Sequence, residues 1–336
     1  ENPALNILSQ TNVECNGGST GEFTIEVTNE AGFFLFDENG NINFDGIFTG
    51  YSAGSYAVQV TDANSCSSTI PVTITEADPT TTADAGINQS ACSGSTVTLS
   101  ANTAIVGTGG WSLVSGSGIF TNATDPATTV TGIGTGLNSY RWTITNTLCS
   151  NSNFDDVDVT GTDLPTGTIT GTQEICIGGS ASLSIAFTGT APWTYSVNGN
   201  VPVSTSSNPE TVSVTPSVTT IYTVTSLSDA SCAGSGLGSA TVTVTNAPPA
   251  SSCTITSFPV DACVGNTVVV STNVVPGATS YTWSAPAGTL IDGFASPHTS
   301  TSNSVNITLG VVPTNSSGWL ICAFASNACG NTNTNC

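Results

Sequence analysis

Eleven cysteines are the side chains whose spacing most clearly promises chemistry. Eight of them fall into matched positions. Four open a repeating unit: Cys15, Cys92, Cys176 and Cys263, each followed by a Gly-, Ser- or Asn-rich turn such as Cys15-Asn16-Gly17-Gly18 or Cys176-Ile177-Gly178-Gly179. Four close it: Cys66, Cys149, Cys232 and Cys329, each following an alternating run and then Asp, Asn or Ser. There is no Cys-x-x-Cys pair and one His, so zinc ligation is disfavoured and oxidation to cystine is the chemistry expected. The pairs 15–66, 92–149, 176–232 and 263–329 would each close a loop of about 50 to 70 residues, contributing on the order of 4 kcal/mol on the chain-entropy model. Cys253, Cys322 and Cys336 stand outside the pattern. Three cysteines cannot all pair within one chain, so at least one is free or bonded to another chain. A Cys253–Cys336 bridge with a buried free Cys322 is the simplest arrangement.

Other chemistries find little support. His298 sits in Ser296-Pro297-His298-Thr299-Ser300, which reads as a solvated loop without a nucleophile elbow. Asp155, Asp156 and Asp158 alternate along a strand and do not read as the converging carboxylates that glycoside hydrolysis needs. The chain has no Lys, which removes Schiff-base chemistry. No phosphate loop leads into a helix. The cofactor with a case is calcium: Asp37, Asn39, Asn41 and Asp45 offer oxygen ligands at alternating positions. They lack the Gly and closing Glu of an EF-hand loop, and Asn39-Gly40 is a strong hairpin signal.

The charge balance excludes partners. One Arg and no Lys stand against 22 Asp and Glu, for a formal net charge of −21. Nucleic-acid affinity comes mainly from cations on phosphates, and an anionic membrane surface would repel the chain. No apolar run is long enough to span a bilayer. There is no Met and no signal peptide, so the sequence has the look of a mature or excised segment.

The elements that must position the cysteines are strands. Tyr56–Val60, Tyr140–Ile144 and Tyr222–Val224 alternate with period two, as strands with one buried face do, and Trp319–Phe324 supplies the fourth copy. Thr, Ser, Asn and Gly replace the usual charged surface, and helix formers are sparse. The expected fold is all-β: a tandem array of four Ig-like β-sandwich domains, each with one bracketing disulfide, over 1–78, 79–163, 164–247 and 248–336. A Thr-rich linker, 78–83, joins the first two. The fourth lacks the alternating strand that follows the closing cysteine in the others. Trp111, Trp193 and Trp283 lie in alternating runs and are expected in cores.

The first unit resembles the SprB-type repeat of bacterial cell-surface adhesins in the Bacteroidetes. The resemblance rests on Asn12-Val13-Glu14-Cys15-Asn16-Gly17-Gly18, Gly50-Tyr51-Ser52-Ala53-Gly54-Ser55-Tyr56 and Val60-Thr61-Asp62-Ala63-Asn64-Ser65-Cys66. The second resembles Ig-like/PKD-like modules of the same secreted adhesins through Ala85–Cys92, Gly110–Gly118 and Tyr140–Ile144. The third and fourth do so through Ile175–Ser180, Ala191–Tyr195, Gly277–Trp283 and Asn327–Gly330. The resemblance implies secretion and surface display. The function expected is that of a non-enzymatic stalk or fibre segment of an adhesin, with partners that are surface glycans or proteins, or the chain itself. A first alternative is a filament subunit joined head-to-tail by β-strand addition, with Leu5 and Ile7 on the donor strand and the open fourth sandwich as acceptor. A second is a carbohydrate-binding module of a secreted enzyme, with Trp111, Trp193 or Trp283 as a stacking platform.

Overall fold

The computed structural model describes residues 1–29, 32–250, 254–257, 263–310 and 320–333. Among them no residue is helical, and no helix is long and apolar enough to cross a membrane. The chain forms two compact units, Glu1–Asp163 and Leu164–Cys336. Each contains two separate clusters of buried apolar side chains. In the first unit these are centred on Phe23, Phe48, Val58 and Val60, and on Leu99, Tyr140, Trp142 and Val157. In the second they are centred on Leu183, Ile185, Trp193 and Val242, and on Val270, Trp283, Ile307 and Ala323. The architecture is tandem Ig-like β-sandwich.

In the first unit, Leu5–Thr11, Gly21–Val27 and Ile47–Tyr51 form one sheet, facing a second ordered Asn41–Asn43, Phe34–Glu38, Gly54–Asp62, Ser67–Ile74. The alternation read in the sequence explains the packing. Val58 and Val60 point inward from Gly54–Asp62 while Ala57 and Gln59 point out. The next sandwich has a sheet ordered Thr108–Ser115, Gly136–Asn146, Asn151–Thr162, Gln89–Cys92, facing Ile119–Phe120, Thr129–Thr131 and Thr96–Thr98. Tyr140, Trp142 and Ile144 line its core from one face of Gly136–Asn146. Tyr140 donates its buried hydroxyl to the Ser117 carbonyl (2.6 Å).

In the second unit, Thr166–Thr170 pairs with Ala181–Phe187 on one side and Ala233–Leu237 on the other, carrying one sheet around the core. Gln173–Cys176, Ala240–Thr245 and Thr220–Tyr222 form its companion. The last sandwich sets Ile255–Ser257, Thr267–Thr272, Ser304–Thr308, Leu290–Ile291 and Phe294–Ala295 against His298–Ser300, Ser280–Ser284, Cys322–Asn327 and Gly330–Asn331.

That final strand, Gly330–Asn331, has two residues where Ser67–Ile74 has eight and Asn151–Thr162 twelve. Among the described residues the fourth sandwich thus keeps a stub in place of the strand expected to be missing. The proposed donor strand is already used. Leu5–Thr11 pairs antiparallel with Gly21–Val27, Leu5 opposite Val27 and Ile7 opposite Ile25, and both Leu5 and Ile7 pack on the core of their own sandwich. An apolar strand whose inner face is covered by its own sheet is not free for a neighbour.

Trp283 is fully buried between the facing sheets. Truncating a buried Trp removes a large transfer contribution and leaves a cavity. Trp283→Ala is expected to lower the stability of the second unit by about 3–5 kcal/mol and to leave the first unit's melting unchanged, which differential calorimetry on the whole chain resolves.

Candidate functional site

The positions of the cysteines follow from where each repeat's last strand begins and ends. In the first sandwich Cys66 lies in the turn just before Ser67–Ile74. Cys15 lies beside the residues just after that strand: Asn16 Nδ2 and Gly17 N donate to Glu76 (2.9 and 2.6 Å), and Val13 bridges Glu76. Eight extended residues separate the two, roughly 25 Å at about 3.3 Å each. A cystine needs Cα atoms within about 7 Å. In the second sandwich Cys149 precedes Asn151–Thr162, while Cys92 pairs with Thr162 at its far end. In the third, Cys232 precedes Ala233–Leu237, while Cys176 pairs with Thr245 at the end of Ala240–Thr245. In the fourth, Cys263 lies just before Thr267–Thr272, and Asn327, next to the Cys329 turn, donates to the Gly277 carbonyl beyond that strand's other end (2.9 Å). Opening and closing cysteines occupy opposite ends of every sandwich.

This overturns all four bracketing disulfides. Cys15 is bonded to Cys149, with Cα atoms 5.5 Å apart across 134 residues. Cys176 is bonded to Cys329, with Cα atoms 5.2 Å apart across 153 residues. Cys66 and Cys263, expected to pair with Cys15 and Cys329, are free. Cys92 and Cys232 are disulfide-bonded, but not to Cys149 and Cys176, which are engaged in the junctions. Cys322 is buried and disulfide-bonded, not the free thiol the sequence allowed. Cys253 and Cys336 lie outside the described residues.

The rule within each unit is that the opening cysteine of one sandwich bonds the closing cysteine of the next. The linker explains why they meet. The first sandwich hands the chain on at the Glu76 end, beside Cys15. Residues 80–83 then dock on the turn side of Asn151–Thr162: Thr80 Oγ1 donates to Asn151 Oδ1 (2.6 Å), Ala83 N to Asn153 Oδ1 (2.5 Å), and Asn153 Nδ2 to the Thr81 carbonyl (3.0 Å). That is the Cys149 end. The second unit repeats the device. Cys176 pairs beside Thr245, and Asn327, two residues before Cys329, donates to the Asn246 carbonyl (2.8 Å).

The turns carrying these cysteines are built alike. Each opening cysteine's carbonyl accepts from the N–H three residues on: Gly18 for Cys15, Ser95 for Cys92, Gly179 for Cys176 and Asn266 for Cys263, at 2.8–3.1 Å. Each closing cysteine's N–H donates to an Asp or Asn upstream: Asp62 for Cys66 (2.8 Å), Asn146 for Cys149 (3.4 Å), Asp229 for Cys232 (2.7 Å) and Asn327 for Cys329 (2.8 Å). These are the side-chain caps for which Asp and Asn are favoured in turns. The sequence showed the residues as punctuation; their role in aiming each cysteine required the fold. Desolvation alone would raise the Asp229 carboxyl, but backbone N–H groups of Thr190, Cys232 and Ser231 outweigh it and hold its pKa below the usual carboxylate value.

The other candidate residues do not come together. Asp37 Oδ1 accepts from Gly40 N (2.8 Å), Asn41 Nδ2 donates to the Tyr51 hydroxyl (2.7 Å), and Asp45 Oδ1 accepts from Ile47 N (3.1 Å). Asn39 and Gly40 take positive φ, 44° and 90°, the backbone of a tight hairpin that suits Asn-Gly. Asp37, Asn41 and Asp45 thus each make a different local hydrogen bond, and no group of three or more His, Cys, Asp or Glu gathers among the described residues. Asp155 accepts from Ala85 N, Asp156 takes a bidentate pair from Arg141, and Asp158 accepts from Ser139, so the three are tied to separate partners. His298 is on a strand, not in a loop. It pairs opposite Trp283, stacks on Phe294 (4.7 Å between centroids) and stands 3.9 Å from Asp292. Trp111, Trp193 and Trp283 are 5%, 6% and 0% exposed, which leaves no ring face for a sugar. Two cavities, of about 330 and 420 Å³, are lined by no ionisable side chain.

No family model matches the chain, and no curated protein matches it. Several solved structures are similar. A titin I-band fragment, I67–I69, is 9% identical over 73% of this chain and 99% of its own, with a TM-score of 0.35. Sidekick-1 immunoglobulin domains 1–5 are 15% identical over 99% and 76%, at 0.29. Domains 4 and 5 of the S-layer protein SbsC are 15% identical over 48% and 100%, at 0.28. Likenesses this distant carry no argument about function.

Two outcomes follow. Replacing Cys15 and Cys149 by Ser is expected to cost the first unit up to about 5 kcal/mol, the chain-entropy value for a loop of this length, while each sandwich keeps its near-UV signature. A bracketing pair would have shown its loss within one sandwich. Because the folded pKa of Asp229 is lowered, its cap stabilises above the ordinary Asp pKa of about 3.9 and is lost as pH falls through the folded value. Once the intrinsic pH dependence of exchange is divided out, hydrogen-exchange protection of the Ser231 and Cys232 amides should therefore fall on acidification, and Asp229→Asn should flatten that dependence.

Proposed function

We propose that this chain is a non-enzymatic extracellular structural protein, a load-bearing segment that holds binding or anchoring parts at a distance. The observation that carries the reading is the place of the cystines. A disulfide inside a sandwich stabilises that sandwich; one between neighbours fixes a junction. Cys15–Cys149 and Cys176–Cys329 each tie two successive sandwiches at the point where the chain passes from one to the next. A pull on the chain outside either cystine passes through the S–S bond and bypasses the residues between. Cystines persist in oxidising compartments, which supports exposure outside the cell.

The finer reading is a stalk or fibre segment of a bacterial surface adhesin. It is supported by the sequence resemblance of the first sandwich, residues 1–78, to SprB-type repeats and by a surface with few protease-sensitive cations. The partners proposed are surface glycans or proteins, or further copies of the chain. The buried Trp side chains weigh against the carbohydrate-binding alternative, and the occupied Leu5–Thr11 strand against donation by that segment.

Pulling single molecules by their two ends tests the role. Without reductant, the residues enclosed by each cystine should not extend, and with reductant each unit should release an additional length of roughly 400–550 Å at about 3.3–3.6 Å per residue. Equal contour lengths with and without reductant would refute the load-bearing reading.

A further inference from the structure

The cystine register leaves one closing and one opening cysteine unused. Cys66 closes the first repeat and is half-buried; Cys263 opens the fourth and is exposed; both are free thiols. Neither is an accidental cysteine. Cys66 N–H is capped by Asp62 as Cys329 N–H is by Asn327, both at 2.8 Å. The Cys263 carbonyl accepts from Asn266 N (3.0 Å) as the Cys15 carbonyl does from Gly18 N (2.9 Å). The two thiols are thus held in the same turns as their bonded counterparts. Each also sits at the end of its sandwich away from the cystine junction of its unit. In the first sandwich Cys15 and Cys66 are separated by Ser67–Ile74, and in the fourth Cys329 and Cys263 by Thr267–Thr272.

We propose that Cys263 of one copy forms a disulfide with Cys66 of the next, so that the opening-to-closing register continues from molecule to molecule and the chain polymerises head to tail. The partner is a second copy of this chain, because only an opening and a closing turn present complementary halves of the junction seen twice within it. Joining two different patches is a heterologous contact, which propagates and does not close on itself. The redox step needs an oxidant, and a low-molecular-weight disulfide serves. One protein thiolate attacks it, forming a mixed disulfide and releasing one small thiol. The thiolate of the neighbouring copy then attacks the mixed disulfide at the protein sulfur and releases the second. Two protein thiols lose two electrons and two protons, and the small disulfide becomes two thiols. The proposal rests on the reading above only for the oxidising setting. Pulling reads one molecule and polymerisation reads many, so either can fail alone.

The test is non-reducing gel electrophoresis of the whole chain incubated with oxidised and reduced glutathione. Wild type should give a ladder that collapses to monomer with reductant. Cys66→Ser and Cys263→Ser should each abolish the ladder, and an equal mixture of the two variants should stop at dimer. Digestion with chymotrypsin, needed because the single Arg leaves trypsin almost nothing to cut, should yield a Cys66 peptide joined to a Cys263 peptide, with Cys15–Cys149 and Cys176–Cys329 retained as proof of folding. A wild type that stays monomeric, a Cys66–Cys263 bond within one monomer, or a dimer of Cys263→Ser alone through Cys66 would each overturn it.

Discussion

The geometry of a single extended strand governs this protein. A β-strand advances about 3.3 Å per residue, and a cystine spans less than 7 Å between Cα atoms. In the first three repeats the closing cysteine precedes the last strand and the opening cysteine sits beside its end. The two cannot meet within one sandwich. Within each unit the opening cysteine of the first sandwich meets the closing cysteine of the second, and the short connection between those two sandwiches brings the pair together. A covalently tied pair of sandwiches in each unit is therefore a consequence of strand length and linker length taken together.

The hydrogen bonds around the junctions serve that constraint. Asn151 and Asn153 hold the Thr-rich linker against the second sandwich, and Asn327 reaches the connection before the fourth. Asp62, Asn146, Asp229 and Asn327 cap the turns from which the closing sulfurs project. In a chain with so few cations, these Asp and Asn side chains are spent on backbone N–H groups instead of ion pairs. Buried Trp and Tyr rings supply the cores, and the acidic residues that could have hinted at metal or catalytic chemistry are dispersed among turn caps and strand-to-strand contacts.

Mechanically, a sandwich with an internal cystine and a sandwich joined by cystines to its neighbours differ in where a load travels. In the second case the force path runs through sulfur at the junctions. The folds between are then asked to keep shape and spacing more than to resist unravelling. That division suits a chain whose surface is polar, nearly free of positive charge and punctuated by tight turns.

The strands, the four-fold recurrence of the cysteine signatures and the burial of Trp111, Trp193 and Trp283 were all legible in the sequence, because period-two alternation and turn residues are local properties of the chain. The hairpin at Asn39-Gly40 was legible for the same reason. What the sequence could not convey was which cysteine faces which. Equal spacing within each repeat made internal brackets look natural, yet spacing along the chain says nothing about the end of the sandwich at which a residue emerges. Only the pairing of Cys92 with Thr162 and of Cys176 with Thr245, and the docking of the linkers, decided that. Likewise Leu5 and Ile7 showed an apolar strand in need of a partner, and the sheet decided that the partner is Gly21–Val27.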